Sequence, residues 1–330
     1  MKAVYVKEFG GAENLEWRDV EDLPMPTGAQ VLVNVKASAL NRADILQRKG
    51  FYPAPPGFPE RILGLEFAGE IADTGESVKN FKTGDRVFGI TAGGAQAEFL
   101  LSDESLLVKI PENLSFTEAA AIPEAFITAR DAIFAQANLT ENETLLIHAV
   151  ASGVGLAALQ LAKARNIKVF GTSRTADKLD KCRAFGLDEA ILVSGEADFA
   201  ETIREKTGGK GVDVILDLVG AKYFAENLKS LALKGRLMLV GTPAGAKAEL
   251  DFGLLMSKRA KITGTLLRSR PTEEKAEATG KFAAEVVPLI EKGLIKPNID
   301  RVFNIEEIEA AHEYLESNES FGKVVLMNNE

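Results

Sequence analysis

The chain has 330 residues, of which 46% are hydrophobic and 26% charged. The length suggests about two domains, the composition excludes a disordered chain, and no apolar run reaches the ~18 residues of a membrane-spanning helix. A formal charge of −9 argues against nucleic acid or an anionic membrane surface as the main partner.

Soft metal ligands are scarce, because the chain has one cysteine and two histidines. Cys182 cannot form an internal disulfide and the first residues lack the apolar stretch of a secretory signal, so we expect a cytoplasmic protein. His148 and His312 lie far apart in the sequence without a second soft ligand beside either, and we expect no metal site. His148 ends an apolar strand and His312 shares a helix face with Ile308 and Leu315, so both are interpreted as structural residues.

Short predicted strands, broken by Gly, Pro and Asp, fill the first 120 residues or so. They span 3–6, 31–37, 65–72, 85–90, 97–101 and 106–110. In the second of these, polar Asn34 and Lys36 alternate with apolar residues, as is typical of a half-buried strand. Residues 51–60 contain four prolines and predict a stiff, irregular loop. Many short strands without intervening helices predict a barrel-like β domain.

From about residue 123, strands and helices alternate. The predicted strands are continuously apolar and span 144–149, 167–173, 189–193, 212–220, 235–241 and 261–267. The predicted helices span 155–166, 177–186, a region near 198–207 and another near 221–232. Apolar strands in this alternation predict a parallel sheet that is covered on both faces, as in a doubly wound nucleotide-binding domain.

A mixed pattern returns after a long helix that ends near Gly293. Two predicted strands, 300–304 and 322–327, flank a predicted helix over 305–318. The fold class is therefore α/β, with a doubly wound Rossmann sheet inserted into a β-barrel domain. We place the β domain at residues 1–122, completed by 296–330, and the inserted domain at 123–295.

The turn after the first strand of the inserted domain, HAVASGVG over residues 148–155, has features of a dinucleotide site. The glycine positions of G-x-G-x-x-G are held by Val150, Ser152 and Gly155, so the match is incomplete, but the strand–turn–helix context favours a dinucleotide over an ordinary turn. The glycines permit a close approach of the backbone, and Ser152 can cap the helix or bind a phosphate. The cofactor residues expected here are Ser152, Gly153, Val154 and Gly155.

The end of the second strand of this domain distinguishes the two nicotinamide cofactors. An NAD site usually has an Asp or Glu there for the ribose 2′-hydroxyl. Here the strand ends with Ser173 and Arg174, and Lys178 follows one helical turn later. Two cations and no carboxylate suit a 2′-phosphate, which favours NADPH over NADH.

Several segments together resemble a known family. They are SALNRAD (38–44), ILGLEFAG (62–69), AAAIPEAFITA (119–129), LLIHAVASGVG (145–155) and LLRSR (266–270). Over essentially the whole chain, the sequence is similar to the zinc-independent quinone oxidoreductase (zeta-crystallin) branch of the medium-chain dehydrogenases/reductases, and most of all to the tumour-suppressor-inducible quinone oxidoreductases. The resemblance implies a GroES-like β domain, a Rossmann domain, NADPH-dependent reduction of quinones, and a homodimer. In such a dimer, an exposed edge strand at 235–241 or 261–267 would pair the two sheets.

The resemblance also assigns individual positions. Zinc-using relatives have a cysteine where this chain has Asn41 and a histidine where it has Leu65, so no catalytic metal is expected. The family's 2′-phosphate lysine matches Lys178, whereas Val193 and Asn318 stand where many members have a tyrosine and an arginine near the adenosine phosphate. Further expected cofactor contacts are Thr128, Leu218, Gly241, Thr242, Leu266, Leu267 and Lys323.

The expected chemistry depends on positioning, since the sequence has no zinc ligands and no Tyr-x-x-x-Lys. A quinone or an enone is electrophilic enough to accept hydride without a Lewis acid, and its negative charge delocalises. We expect Asn41 and Tyr52 to be catalytic, although Asn41 is equally a helix N-cap and Tyr52 equally a structural loop aromatic. The acceptor is expected to be lined by Asp44, Phe126, Thr128 and Leu267.

Two other functions remain open from the sequence. An NADPH-dependent enone or enoyl-thioester reductase would use the same cofactor residues and differ only in its acceptor. A non-catalytic NADPH-binding protein with a structural or RNA-associated role is the other alternative. The acidic charge balance and the lack of a basic, aromatic-laced patch disfavour it.

Overall fold

The computed structural model describes residues 1–328 and divides the chain into two compact units. The first unit consists of Met1–Ile127 and Leu267–Glu330, and the second of Thr128–Leu266. The two ends of the chain therefore share one unit, as predicted. No helix within residues 1–328 is both long enough and apolar enough to cross a membrane.

The first unit begins with most of its strands and two short helices. In chain order its elements are β1 (Lys2–Val6), β2 (Leu15–Asp19), β3 (Gln30–Ala39), α1 (Arg42–Arg48), β4 (Glu66–Thr74), β5 (Arg86–Ile90), β6 (Phe99–Asp103), β7 (Leu107–Lys109) and α2 (Phe116–Ala120). The next helix, α3 (Pro123–Arg130), crosses the division between the units and continues as a π-helical segment, Asp131–Gln136.

Strand and helix alternate in the second unit. Its elements are β8 (Thr144–Ile147), α4 (Gly153–Lys163), β9 (Lys168–Ser173), α5 (Ala176–Arg183), β10 (Glu189–Leu192), α6 (Phe199–Lys206), β11 (Val212–Asp217), α7 (Phe224–Ser230), β12 (Leu231–Leu239), α8 (Phe252–Lys258) and β13 (Lys261–Gly264). The chain then returns to the first unit with α9 (Thr272–Glu285), α10 (Val287–Glu291), β14 (Ile299–Asn304), α11 (Ile308–Ser317) and β15 (Lys323–Met327).

The strands of the first unit form a β domain around a mainly antiparallel sheet. Its order is β14-β15-β3-β4-β5-β7, with β6 also paired to β3, and β1 and β2 form a separate pair. β3 alternates buried and less buried residues through Lys36, as the sequence predicts. The prediction of a region without helices is wrong, because α1 and α2 each begin at a residue with a reciprocal cap, Asn41 with Asp44 and Ser115 with Glu118.

The second unit has the predicted parallel sheet. Its order is β10-β9-β8-β11-β12-β13, and every neighbouring pair is parallel. The segment 235–241 does not form an edge, because β12 lies between β11 and β13, so only 261–267 contributes an edge strand there. The helix predicted near 221–232 ends at Ser230, since Leu231 is already part of β12.

The second domain boundary also differs from the sequence-based placement at residue 295. The helices α9 and α10 belong to the first unit, which resumes at Leu267. Phe282 of α9 is fully buried and contacts Phe88 of β5 edge to face, with ring centroids 5.9 Å apart. The hydrophobic periodicity of a helix shows that one face is buried, but not which domain covers that face. The packing of α9 on the β domain therefore explains why the boundary lies at Leu267 and not at residue 295.

Candidate active site

The predicted cofactor residues of the second unit share one edge of its sheet. They follow the carboxyl ends of five parallel strands, with Ser152–Gly155 after β8, Ser173 and Arg174 at the end of β9, Leu218 after β11, Gly241 and Thr242 after β12, and Leu266 after β13. This edge is where doubly wound sheets bind nucleotides. Thr128 lies elsewhere, in the part of α3 that belongs to this unit.

The turn between β8 and α4 brings the backbone into close contact with itself. A Cβ atom at Gly155 would lie 2.6 Å from the carbonyl oxygens of Ala149 and Val150, so only glycine fits this position. Ala149 itself has a left-handed φ of 48°. Ser152 is the N-cap of α4, and its Oγ accepts a hydrogen bond from the N–H of Gly155 at 3.2 Å. The first N–H groups of the helix point out of the turn, where a phosphate can accept from them.

The end of β9 presents a cation and no carboxylate. Ser173 is nearly buried, Arg174 is exposed, and Lys178 lies half-buried in the first turn of α5. The neighbouring acid, Asp217, is fully buried, and its Oδ1 accepts from the N–H groups of Val219 and Gly220 at 2.7 and 2.9 Å. Its carboxylate is thus committed to the loop after β11 rather than to a ribose.

A buried hydrogen-bond chain connects three of these strand ends. His148 bonds through Nδ1 to Oγ1 of Thr172 at 2.9 Å and through Nε2 to Oδ1 of Asn227 at 2.6 Å, and Asn227 donates to Asp217 at 2.9 Å. Burial lowers the pKa of His148 to about 4, so the imidazole is neutral near pH 7. The structural role predicted for His148 agrees with this arrangement.

The predicted acceptor residues of the first unit belong to a second polar cluster, centred on α1. Asp44 is fully buried, and its carboxylate accepts from the N–H groups of Asn41 at 2.7 Å and of Gly64 at 2.9 Å. Burial raises the pKa of Asp44 to about 6, although these two hydrogen bonds act in the opposite direction. Asp44 therefore holds the start of α1 against the segment that leads into β4.

Lys323 and Glu66 form a buried ion pair in this cluster. Lys323 Nζ lies 2.6 Å from Glu66 Oε1 and donates to Asn41 Oδ1 and to the carbonyl of Leu40, both at 2.8 Å. The Asn41 amide in turn donates to Glu66 Oε1 at 2.9 Å. All three N–H groups of Lys323 are thus used within the first unit, and none is left for a cofactor. We therefore do not propose Lys323 as a cofactor ligand.

Arg268 holds the proline-rich loop to the β domain. Its guanidinium group is buried and donates to the carbonyls of Ala92 at 2.7 Å and Tyr52 at 3.2 Å, and to the side chain of Gln47. The same group lies 5.0 Å from the centroid of the Tyr52 ring. The position of Tyr52 is therefore fixed by Arg268 rather than by the loop alone.

Sequence reasoning missed four polar members of this cluster, namely Gln47, Glu66, Glu124 and Arg268. Glu66, Glu124 and Arg268 lie inside the segments quoted above, and the two acids are flanked by apolar residues, in LEFAG and IPEAF. A charge in such surroundings is a signal for a buried, paired group. Of the other expected acceptor residues, Phe126 and Leu267 are buried in the first unit.

Comparison with known proteins agrees with both units. Residues 27–112 match the family model described as "Alcohol dehydrogenase GroES-like domain", and residues 153–284 match that described as "Zinc-binding dehydrogenase". A rat quinone oxidoreductase is 35% identical over 329 residues, which cover 99% of this chain and 98% of the relative.

Solved structures are similar over nearly the full length. A quinone oxidoreductase from Pseudomonas syringae pv. Tomato DC3000 has a TM-score of 0.89 at 32% identity, with 99% of both chains covered. A mycobacterial protein solved in complex with NADPH has a TM-score of 0.89 at 29% identity, covering 99% of this chain and 100% of the other. The CurK enoyl reductase has a TM-score of 0.87 at 28% identity, with 99% of both chains covered.

A GroES-like domain combined with a doubly wound nucleotide-binding domain defines the medium-chain dehydrogenases/reductases, a superfamily of oxidoreductases. Within it, the chain belongs to the quinone oxidoreductase family.

Proposed function

We propose that this protein is an NADPH-dependent oxidoreductase that reduces quinones without a metal ion, as a homodimer in the cytoplasm. The full-length similarity to the rat quinone oxidoreductase, at 35% identity, is the observation that carries the proposal. The single cysteine, buried and unable to pair within the chain, supports a reducing compartment.

The carboxyl edge of the second sheet fits NADPH. The close backbone approach at Gly155 and the open N-terminus of α4 suit a pyrophosphate, while Arg174 and Lys178 suit the adenosine 2′-phosphate. When bound, NADPH supplies a hydride. Ser152 would orient it through its hydroxyl, since the oxygen already accepts from Gly155 and the O–H remains available to donate.

The first unit supports chemistry without a metal. Where zinc-using relatives have two ligands, this chain has Leu65, which is apolar, and Asn41, whose amide is bonded to Lys323 and Glu66. The ammonium of Lys323 lies in this cluster, where it is paired with Glu66. A quinone needs no Lewis acid to accept hydride, because the resulting charge delocalises over its ring.

The edge of the second sheet supports the homodimer. β13 is the terminal strand of the sheet, and exposed apolar side chains occur nearby in the sequence, at Phe252 and Met256 of α8 and at Leu266. An uncovered strand edge pairs readily with a second copy. Light scattering should give the mass of a dimer, and a monomeric mass would remove this part of the proposal.

The proposal is tested with purified protein, first by fluorescence titration with NADPH and NADH and then by an acceptor panel. We expect tighter binding of NADPH and turnover of 1,2-naphthoquinone, in protein that contains no stoichiometric metal by mass spectrometry. Faster turnover of an alkenal or of crotonyl-CoA would instead indicate the enone or enoyl-thioester reductase. Retention on an RNA column at physiological salt, with no turnover of any acceptor, would favour the non-catalytic alternative.

A further inference from the structure

Glu124, in the first turn of α3, has a carboxyl group that the polar cluster of the first unit surrounds but does not bind. Its backbone N–H donates to Glu66 Oε2 at 2.9 Å, which places the residue beside the Lys323–Glu66 ion pair. Its own carboxyl makes no hydrogen bond or ion pair within residues 1–328. Among the acids of the cluster, Asp44 and Glu66 both have donors, and Glu124 does not.

Six titratable groups face Glu124 from the elements packed around it. They are Glu66 of β4, Asp44 of α1, Lys323 of β15, Lys275 of α9, Tyr52 of the proline-rich loop, and Arg268. Of the three cations in this set, Lys323 is engaged by Glu66 and Arg268 by Ala92, Tyr52 and Gln47. The third, Lys275, lies 5.1 Å from the centroid of the Phe58 ring. None of the three forms an ion pair with the Glu124 carboxyl within residues 1–328.

The surroundings favour the neutral acid. Burial raises the pKa of Glu124 to about 8, with the negative charge of Glu66 acting in the same direction. A group of this kind holds a proton at neutral pH and releases it readily to a stronger base, which is what general acid catalysis requires. Glu124 is only half-buried, so its proton can be replaced from water.

Glu124 also lies where the acceptor is expected. Asp44, which is predicted to line the acceptor, and Tyr52, which is predicted to be catalytic, are among the groups that face the Glu124 carboxyl. Asn41, the other residue predicted to be catalytic, bonds to the same Glu66 carboxylate that holds the Glu124 backbone. Glu124 therefore belongs to the same cluster as the residues that were predicted to line the acceptor or to act on it.

We propose that Glu124 is the catalytic acid that protonates the reduced acceptor, an inference that depends on the proposed quinone reductase function. Hydride addition reduces the quinone by two electrons to a hydroquinone monoanion, and the cofactor is oxidised. The O–H bond of Glu124 then breaks, its proton forms the second hydroxyl of the hydroquinone, and the remaining carboxylate takes a proton from water.

The test compares Glu124→Gln with the wild-type protein and with Glu112→Gln, a matched control at an exposed position of the same unit. With NADPH and 1,2-naphthoquinone, kcat of the wild type should fall as pH rises through about 8. Glu124→Gln should lower kcat at pH 7 by roughly tenfold to a hundredfold and abolish that fall, because an amide cannot donate this proton. The Kd for NADPH and the melting temperature should change little, and Glu112→Gln should behave as the wild type.

Infrared difference spectra of the free protein give a readout that does not depend on activity. Wild type minus Glu124→Gln should show the C=O band of a protonated carboxyl at pH 7, which disappears as pH rises through about 8. If Glu124→Gln does not fold, Glu124→Asp replaces it in both measurements, and it should lower kcat, keep a fall at high pH and shift the band.

The outcomes separate the two proposals. A wild-type protein that reduces quinones, together with a variant of unchanged kcat and pH profile, overturns the role of Glu124 alone, as does the absence of the protonated carboxyl band. A wild-type protein that reduces no quinone overturns the proposed function, and the role of Glu124 fails with it.

Discussion

The ammonium group of Lys323 lies 2.6 Å from a carboxylate oxygen of Glu66, and both side chains are buried, at 6% and 0% exposure. The pair connects the last strand of the chain to β4, and Asn41 adds the start of α1. Two opposite charges in an interior depend on each other, because removing one leaves the other buried without an opposite charge. The pair therefore ties the C-terminal strand to the rest of the β domain.

Lys323→Met should accordingly destabilise the protein by about 3–5 kcal/mol, since it leaves the buried Glu66 carboxylate without its ion-pair partner. The measurement is the free energy of unfolding in urea, with the double variant Lys323→Met/Glu66→Gln recovering much of the loss. Lys49→Met, which removes one side of a more exposed ion pair with Glu316, should cost less than about 1 kcal/mol. Equal costs for the two lysine variants would show that burial of the Lys323–Glu66 pair is unimportant.

The sequence predicts the parallel strands of the second unit well because their signals are local. Continuous apolar runs predicted five of the six parallel strands close to their observed bounds, and β12 (Leu231–Leu239) in part. The partner of Glu66, by contrast, lies 257 positions away, and no periodicity relates the two residues. Pairing of this kind depends on the register between β15 and β3, in which Val325 lies opposite Ala39. Only the folded chain shows this register.

The same contrast between local signals and contacts over long sequence distances explains which residues of the candidate site the sequence could predict. Ser152, Arg174 and Lys178 follow strands that a pattern can locate, so the sequence predicted that they share one sheet edge. The position of Lys178 relative to the end of β9 follows from helix geometry alone. Arg268 contacts Gln47, 221 positions earlier, and no local pattern relates the two residues. Local motifs thus located residues that share the carboxyl edge of the second sheet, while the buried polar cluster required the tertiary structure.

Arg174→Ala and Lys178→Ala should each raise the Kd for NADPH by roughly tenfold, because in the proposed complex each side chain supplies one charge-assisted contact to the 2′-phosphate. The Kd for NADH, which lacks this phosphate, should stay within about twofold. Fluorescence titration of both nucleotides measures the ratio. Lys229→Ala, which removes a surface lysine paired with Glu226, serves as the charge control. Parallel losses for both nucleotides would place the two cations away from the 2′-phosphate.

Tyr52→Phe should lower kcat/KM for quinones if the phenol donates to the acceptor, by roughly tenfold for the loss of one donor. The variant keeps the aromatic ring and its 5.0 Å contact with Arg268, so the melting temperature should remain unchanged. Steady-state kinetics with 1,2-naphthoquinone provides the measurement. An unchanged kcat/KM would leave Tyr52 as a structural loop aromatic and remove its hydroxyl from the mechanism.

His312 should make the stability of the protein sensitive to acid. The side chain is fully buried, its Nδ1 lies 3.3 Å from Arg48 Nη1, and its Nε2 has no hydrogen-bond partner within residues 1–328. Burial and the positive charge of Arg48 lower its pKa from 6.5 to about 3, while Glu316 opposes them. The unfolded chain therefore takes up a proton at a higher pH than the folded protein.

The contribution of His312 is present above pH 6.5 and is lost as pH falls toward about 3, at about 1.4 kcal/mol per pH unit. His312→Gln removes it, so the stability advantage of the wild type over this variant should shrink by about 2 kcal/mol between pH 7 and pH 5. Urea unfolding at both pH values measures the change, and the contribution of His148 cancels because both proteins retain it. An advantage that stays constant, or an imidazole that titrates near its ordinary pKa by NMR, would contradict a neutral, buried His312.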